Sequence, residues 1–242
     1  MILLATVPFM GAGRAHADPI DINTLVSGVR ALGHEIPEFA QISTSCDGDA
    51  MCAARFLKDS IGPGAAIIPA LDTQPIRTEW RDRKAPLRVV PDTSVGGGVI
   101  QFYQFDAQFL SNIFNRLAVI PKKVILDVRG VQLSDEMGEI RRTVSLFTGK
   151  LFRAFRLVHS TGREVDWQIP KPKTQWSDVE IKIRLDDRTP GNGLAFAAIM
   201  ARYANAEIVG GKLPEQLFLH RLVPIMHGWD MLVPSGEVVL PQ

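Results

Sequence analysis

An α/β fold with a mainly parallel sheet is what this sequence predicts, on three observations. Between Val99 and Val209 the chain runs strand, loop, helix, strand, twice over. Val124-Ile125-Leu126 is a short continuous apolar run, as a strand covered on both faces reads. The 242 residues are 46% hydrophobic and 22% charged with only 2 cysteines, which excludes a disordered chain and a disulfide-built scaffold.

The first seventeen residues, MILLATVPFMGAGRAHA, carry an apolar stretch from Ile2 to Met10. It suits a signal peptide and is too short to span a bilayer. Ala15-His16-Ala17 has the small-x-small form of a cleavage site, although no Lys or Arg precedes the apolar run. The competing reading is a buried N-terminal strand. Residues 18–94 are expected to form a helical region and linker. A helix is predicted near Ile22 to Leu32, a break at Pro37, and a second helix over about Ala50 to Lys58. Leu71 to Pro91, with three prolines and the charged run TEWRDRKAP, reads as an irregular linker or edge hairpin.

Residues 95–242 are expected to form the α/β core. Val99 to Tyr103 is a strand. A helix follows with Phe105, Phe109, Ile113 and Leu117 spaced every four residues. After the Val124–Leu126 strand come the polar turn DVRGVQLSD and a helix with Met137, Ile140, Val144 and Phe147 on one face. Phe152 to His159 and Arg163 to Gln168 flank Ser160-Thr161-Gly162 as a hairpin. Ile181, Ile183 and Leu185 mark the next strand, which leads through DDRTPGNG into an Ala-rich helix from Leu194 to Ala204. Glu207-Ile208-Val209 is the strand after that.

Charge and cysteines bound the function. Lys+Arg 27 against Asp+Glu 26 gives +1, and removing residues 1–17 takes away Arg14, leaving 26 of each. A neutral chain without a basic run offers no footprint for nucleic acid or an acidic membrane surface. No membrane span is expected after signal removal, and the expected location is periplasmic or secreted. Cys46 and Cys52 flank Asp47-Gly48-Asp49 and are expected to pair in an oxidising compartment, the alternative being two buried thiols. No metal site is expected: a zinc site needs further ligands beside the cysteines, and His220 and His227 stand alone at their spacing.

Four blocks together suggest a family. GGGVIQFYQFDAQFLSNIFNRL, VILDVRGVQLSDEMGEIRRTVSLFTG, IKIRLDDRTPGNGLAFAAIMARYANAEIVGGKL and HGWDMLVPSGEVVLPQ resemble, in this order, segments of the tail-specific (C-terminal-processing) serine peptidases, family S41. The resemblance covers roughly residues 95 to 242 and implies a crotonase/ClpP-like spiral core, with Pro234-Ser235-Gly236 as the turn of a closing hairpin. It implies no cofactor, and a homo-oligomer is in keeping with it. The family's PDZ-like module has no counterpart before residue 95.

The family's chemistry does not carry over. Anchoring the two patterns on Ile208-Val209-Gly210 sets Gly191 at the attacking serine, Gly193 at the second serine and Gln216 at the lysine base. A glutamine side chain cannot accept a serine's proton at neutral pH. The family's Arg-Gly-Asn-x-Gly-Gly oxyanion loop becomes Arg129-Gly130-Val131-Gln132-Leu133-Ser134, keeping one glycine. No catalytic residue is therefore expected. Gly130, Val131, Thr189, Gly191, Asn192 and Gly193 are expected to hold a peptide or anionic group, partly because free N–H groups at a helix start attract negative charge. A peptide or protein partner in the cell envelope follows, strand addition along the sheet edge being one expected mode of binding. The alternative is a hydrolase of the same fold with Ser134, Ser145 or Thr189 as nucleophile and Lys212 or His220 as base. Asp127 and Arg129 read as a structural ion pair. Asp186 and Asp187, adjacent on a strand, point to opposite faces and share no proton.

Overall fold

Six helices and two five-stranded sheets organise the described residues. The computed structural model describes residues 21–69, 85–92, 97–116, 121–148, 151–171, 176, 178–226 and 228–241. The proposed signal segment 1–17, most of the 71–91 linker, Leu117 and His227 lie outside them.

The chain opens with helices α1 (Ile22–Ala31), α2 (Phe39–Cys46) and α3 (Ala50–Ile61). Carboxylates start two of them: Asp21 accepts from the Asn23 N–H, and Asp49 from those of Met51 and Cys52. Cys46 and Cys52 form the expected disulfide, their Cα atoms 5.5 Å apart, tying the end of α2 to the start of α3. Helix α2 was not expected from the sequence. The Asp47-Gly48-Asp49 turn hid it: Asp47, in the left-handed region, ends α2, and Asp49 caps α3 two residues later.

One sheet runs β2 (Leu87–Asp92), β3 (Gly97–Phe102), β4 (Lys123–Asp127), β7 (Glu180–Arg184), β8 (Glu207–Val209). Strands β3, β4, β7 and β8 pair in parallel, and β2 closes one edge antiparallel. The parallel expectation thus holds for this sheet. It does not hold for the second, where all pairings are antiparallel: β1 (Ala66–Pro69), β10 (Trp229–Val239), β5 (Phe152–His159), β6 (Glu164–Ile169), with β9 (Phe218–Met226) also on β10. The hairpins β5–β6 and β9–β10 supply two of its pairings, and hairpin strands are antiparallel by construction; β10 pairs with β1 and β5 across long stretches of chain.

Helices α4 (Ala107–Asn115), α5 (Gly138–Thr148) and α6 (Gly191–Tyr203) cover the parallel sheet. Helix α6 touches β8 of one sheet and β9 of the other, so it joins the two. Its Ala195, Ala197 and Ala198 are buried, the close approach that small side chains allow. A second core lies between α1–α3 and the β9–β10 hairpin, where Leu25, Ile42 and Leu57 meet Ile225, Met231 and Val233. The N-terminal helices therefore share their apolar interior with the last two strands.

Two sequence expectations shift. The four-residue phenylalanine spacing misplaced the buried stripe of α4. Each step of four overshoots the helical turn by about 40°, so such a row drifts around the helix. Ala107, Leu110 and Phe114 are the buried positions, and Phe105 precedes the helix because Asp106 caps it by accepting from the Phe109 N–H at 2.8 Å. Pro234-Ser235-Gly236 is no turn. It sits inside β10 at a register shift between Pro234 and Gly236, a bulge that accommodates the proline.

Candidate functional site

Parallel strands leave their following loops at one end, and ligands in such sheets bind beyond the carboxyl ends. Here β3, β4 and β7 deliver three loops to that end. Gln104 and Phe105 follow β3, Val131 to Ser134 and Glu136 follow β4, and Asn192 lies where the loop after β7 enters α6. With Glu139 of α5 they enclose a cleft of about 230 Å³.

The loops are stitched together. The Gln132 N–H donates to the Tyr103 carbonyl at 2.7 Å, and Asn192 Nδ2 donates to the Gln132 carbonyl at 2.8 Å. The Val131 N–H donates to the Val128 carbonyl. Two N–H groups of the loop that the resemblance aligns with an oxyanion segment are thus already spent. At the base of the loop, Asp127 is buried and takes a two-pronged contact from Arg129, Nε to Oδ1 at 2.9 Å and Nη2 to Oδ2 at 2.8 Å. That contact raises the Arg129 pKa further, and the two side chains form the expected ion pair.

Helix α6 begins at Gly191 behind Pro190, with no side chain capping it. A Cβ built on Gly191 would lie 1.9 Å from the Phe218 carbonyl oxygen and 3.0 Å from His220 Nδ1. Nothing larger than glycine fits while β9 holds this position. The Phe218 oxygen brings partial negative charge to the positive end of the helix. His220 Nε2 must be the protonated nitrogen, since it bonds the Gly64 carbonyl at 3.0 Å. Burial pushes the His220 pKa down, against the opposing pull of that bond. His220 is a neutral imidazole beside a position with no hydroxyl.

The alternative nucleophiles are otherwise engaged. Thr189 Oγ1 donates to Asp186 Oδ1 at 3.0 Å and accepts from the Asp186 N–H at 2.8 Å. Ser145 donates back to the Arg142 carbonyl within α5. Ser134 lines the cleft, its Oγ accepting from the Glu136 N–H. None of these bonds involves a lysine or histidine. Lys212 and Gln216 are exposed and do not line the cleft.

Of the six residues expected to bind, Val131 and Asn192 line the cleft. Gly193 is packed beneath it, with Thr189 Cγ2 3.0 Å and the Val128 carbonyl oxygen 3.3 Å from where its Cβ would lie. Thr189 and Gly191 are buried beside the helix start, and Gly130 is exposed on the loop. Sequence reasoning missed Gln104, Phe105, Glu136 and Glu139 as lining residues. Their place directly after strands or at a helix start was the available signal. Among the described residues no three metal-ligating side chains cluster, and no helix is long and apolar enough to cross a membrane.

Two solved structures align over most of the chain. A lipoprotein from Streptococcus agalactiae matches with TM-score 0.54 at 12% identity, covering 90% of this chain and 85% of its own. A candidate peptidase from Parabacteroides merdae matches with TM-score 0.54 at 10% identity, covering 91% and 85%. This chain shares its fold with these two proteins. A photosystem II D1 C-terminal processing protease aligns over 65% of this chain and 44% of its own, with TM-score 0.45 and 10% identity. No protein-family model matches the sequence. No curated protein matches it either.

Proposed function

We propose that this chain is a non-catalytic, exported relative of the S41 peptidases, with a crotonase/ClpP-like core, whose cleft binds a peptide or protein partner. The observation that carries the reading is the crowding at Gly191. The position where the resemblance expects the attacking serine has no side chain, and a neighbouring backbone carbonyl fills the space one would need. The exposed Gln216 in place of a base and the spent N–H groups of Val131 and Gln132 point the same way. Export rests on the apolar start of the chain and on the disulfide.

What remains is a recess at the carboxyl end of a parallel sheet, walled by Phe105, Val131 and Leu133 and rimmed by polar groups. That combination suits one residue of an extended peptide. The second reading, a hydrolase with a non-standard nucleophile, has one observation in its favour: His220 Nδ1 faces the start of α6. Incubation with a mixed peptide pool, followed by mass spectrometry of free and retained fractions, separates the two. The binding reading expects peptides retained intact. Time-dependent cleavage that survives repurification and disappears in His220→Gln would establish the hydrolase instead.

A further inference from the structure

The lining of the cleft is rich in acceptors and poor in positive charge. Glu136 and Glu139 both line it, and no lysine or arginine does. Glu139 is already committed: its Oε1 accepts from Arg142 Nε at 3.1 Å and its Oε2 from the Ala107 N–H at 3.3 Å. Burial pushes the Glu139 carboxyl up, but these donors outweigh it and hold the pKa below the ordinary value. Asp135, next along the loop, is paired with Arg221. The exposed Glu136 carboxylate has no ion pair among the described residues, and it stands at the mouth.

A second observation points the same way from inside. Asn192 is 2% exposed. Its Nδ2 is bonded to the Gln132 carbonyl, while its Oδ1 has no hydrogen-bond partner. A buried carbonyl oxygen without a donor is costly, and native proteins rarely tolerate one unless something supplies the donor. Phe105, Val131 and Leu133 furnish the apolar wall between. The volume of about 230 Å³ admits one long side chain and little else.

We infer that the cleft selects peptides presenting a lysine or arginine, the aliphatic stem lying along Phe105 and Leu133, the cationic head paired with Glu136, and an N–H of the ligand directed toward Asn192. Long cationic side chains bury their methylene stems and keep the head at a polar rim, and a charge-assisted bond to a carboxylate fixes the orientation. The same carboxylates disfavour an anionic ligand at this end of α6, despite the helix dipole.

This inference rests on the peptide-binding reading above. Fluorescence anisotropy with three labelled peptides tests it, identical but for lysine, norleucine or glutamate at one position. The lysine peptide is expected to bind about tenfold tighter than the norleucine peptide, and the glutamate peptide weakest. Raising the salt should shrink the lysine advantage. Glu136→Gln should abolish that advantage, bringing the lysine and norleucine affinities together. Equal binding of all three overturns the selectivity and leaves the binding reading standing. Retention of the lysine preference in Glu136→Gln also overturns it. No binding of any peptide overturns both.

Discussion

The Phe218 carbonyl oxygen lies 1.9 Å from the point where a Cβ on Gly191 would sit, so the start of α6 and strand β9 meet backbone to backbone. The contact ties the candidate site to the joint between the two sheets, since β9 belongs to one and α6 follows β7 of the other. A serine at this position, Gly191→Ser, would have no room for its side chain. It is expected to displace β9 and lower stability by at least about 1–3 kcal/mol, the usual range for overpacking. Urea unfolding measures the loss. A serine variant as stable as the parent would mean that β9 yields freely.

His220 contributes a pH dependence of defined sign. Its folded pKa lies below the ordinary value of 6.5, because burial disfavours the charged ring. The unfolded chain then takes up the proton first. The stability held by neutral His220 is complete above about pH 6.5 and declines as pH falls toward the folded value. His220→Gln keeps a donor for the Gly64 carbonyl and removes the titration. The variant should show a flatter decline of urea midpoint with falling pH across that window than the parent.

Asn192 is held by one bond and lacks another. Asn192→Ala loses the link to Gln132 but also removes the unpaired Oδ1, so the net cost should stay within about 1 kcal/mol. Asn192→Asp has nearly the same shape, yet sets a buried carboxylate oxygen against the Gln132 carbonyl. It should cost several kcal/mol more. Comparable unfolding midpoints for the two variants would contradict the assigned amide orientation.

The disulfide closes a short loop. Converting both Cys46 and Cys52 to Ser should cost about 2 kcal/mol on the chain-entropy estimate. Because α2 and α3 share a core with β9 and β10, the loss should appear as a lower Tm of the whole cooperative transition. A separate early transition of α1–α3 alone would show that the shared core does not couple them.

How much of this could be read from the chain depended on the range of the interactions involved. Local pattern sufficed for β4, whose apolar run sits mid-sheet, and for α5, whose Ile140, Val144 and Phe147 are buried together with Met137 just before it. The hairpin of β5 and β6 was equally legible, since its turn residues lie between two alternating runs. Strand β1 was not: it pairs with β10, more than 150 residues away, and its four residues carry no alternation of their own. The bulge at Pro234–Gly236 escaped because its residues are those of a turn, and only cross-strand register tells them apart. At the site, the glycines of the α6 start were visible, but their reason was not. That reason is the Phe218 carbonyl, which reaches Gly191 through the fold and leaves no mark in the local sequence.

The non-catalytic reading requires that the pocket hold no working nucleophile. Intact-mass spectrometry of the folded protein after exposure to a fluorophosphonate probe tests it most directly. An unshifted mass is predicted, with a denatured sample as the control for nonspecific reaction. Stoichiometric addition of one probe to the folded chain alone, mapped to Ser134, Ser145 or Thr189, would contradict it.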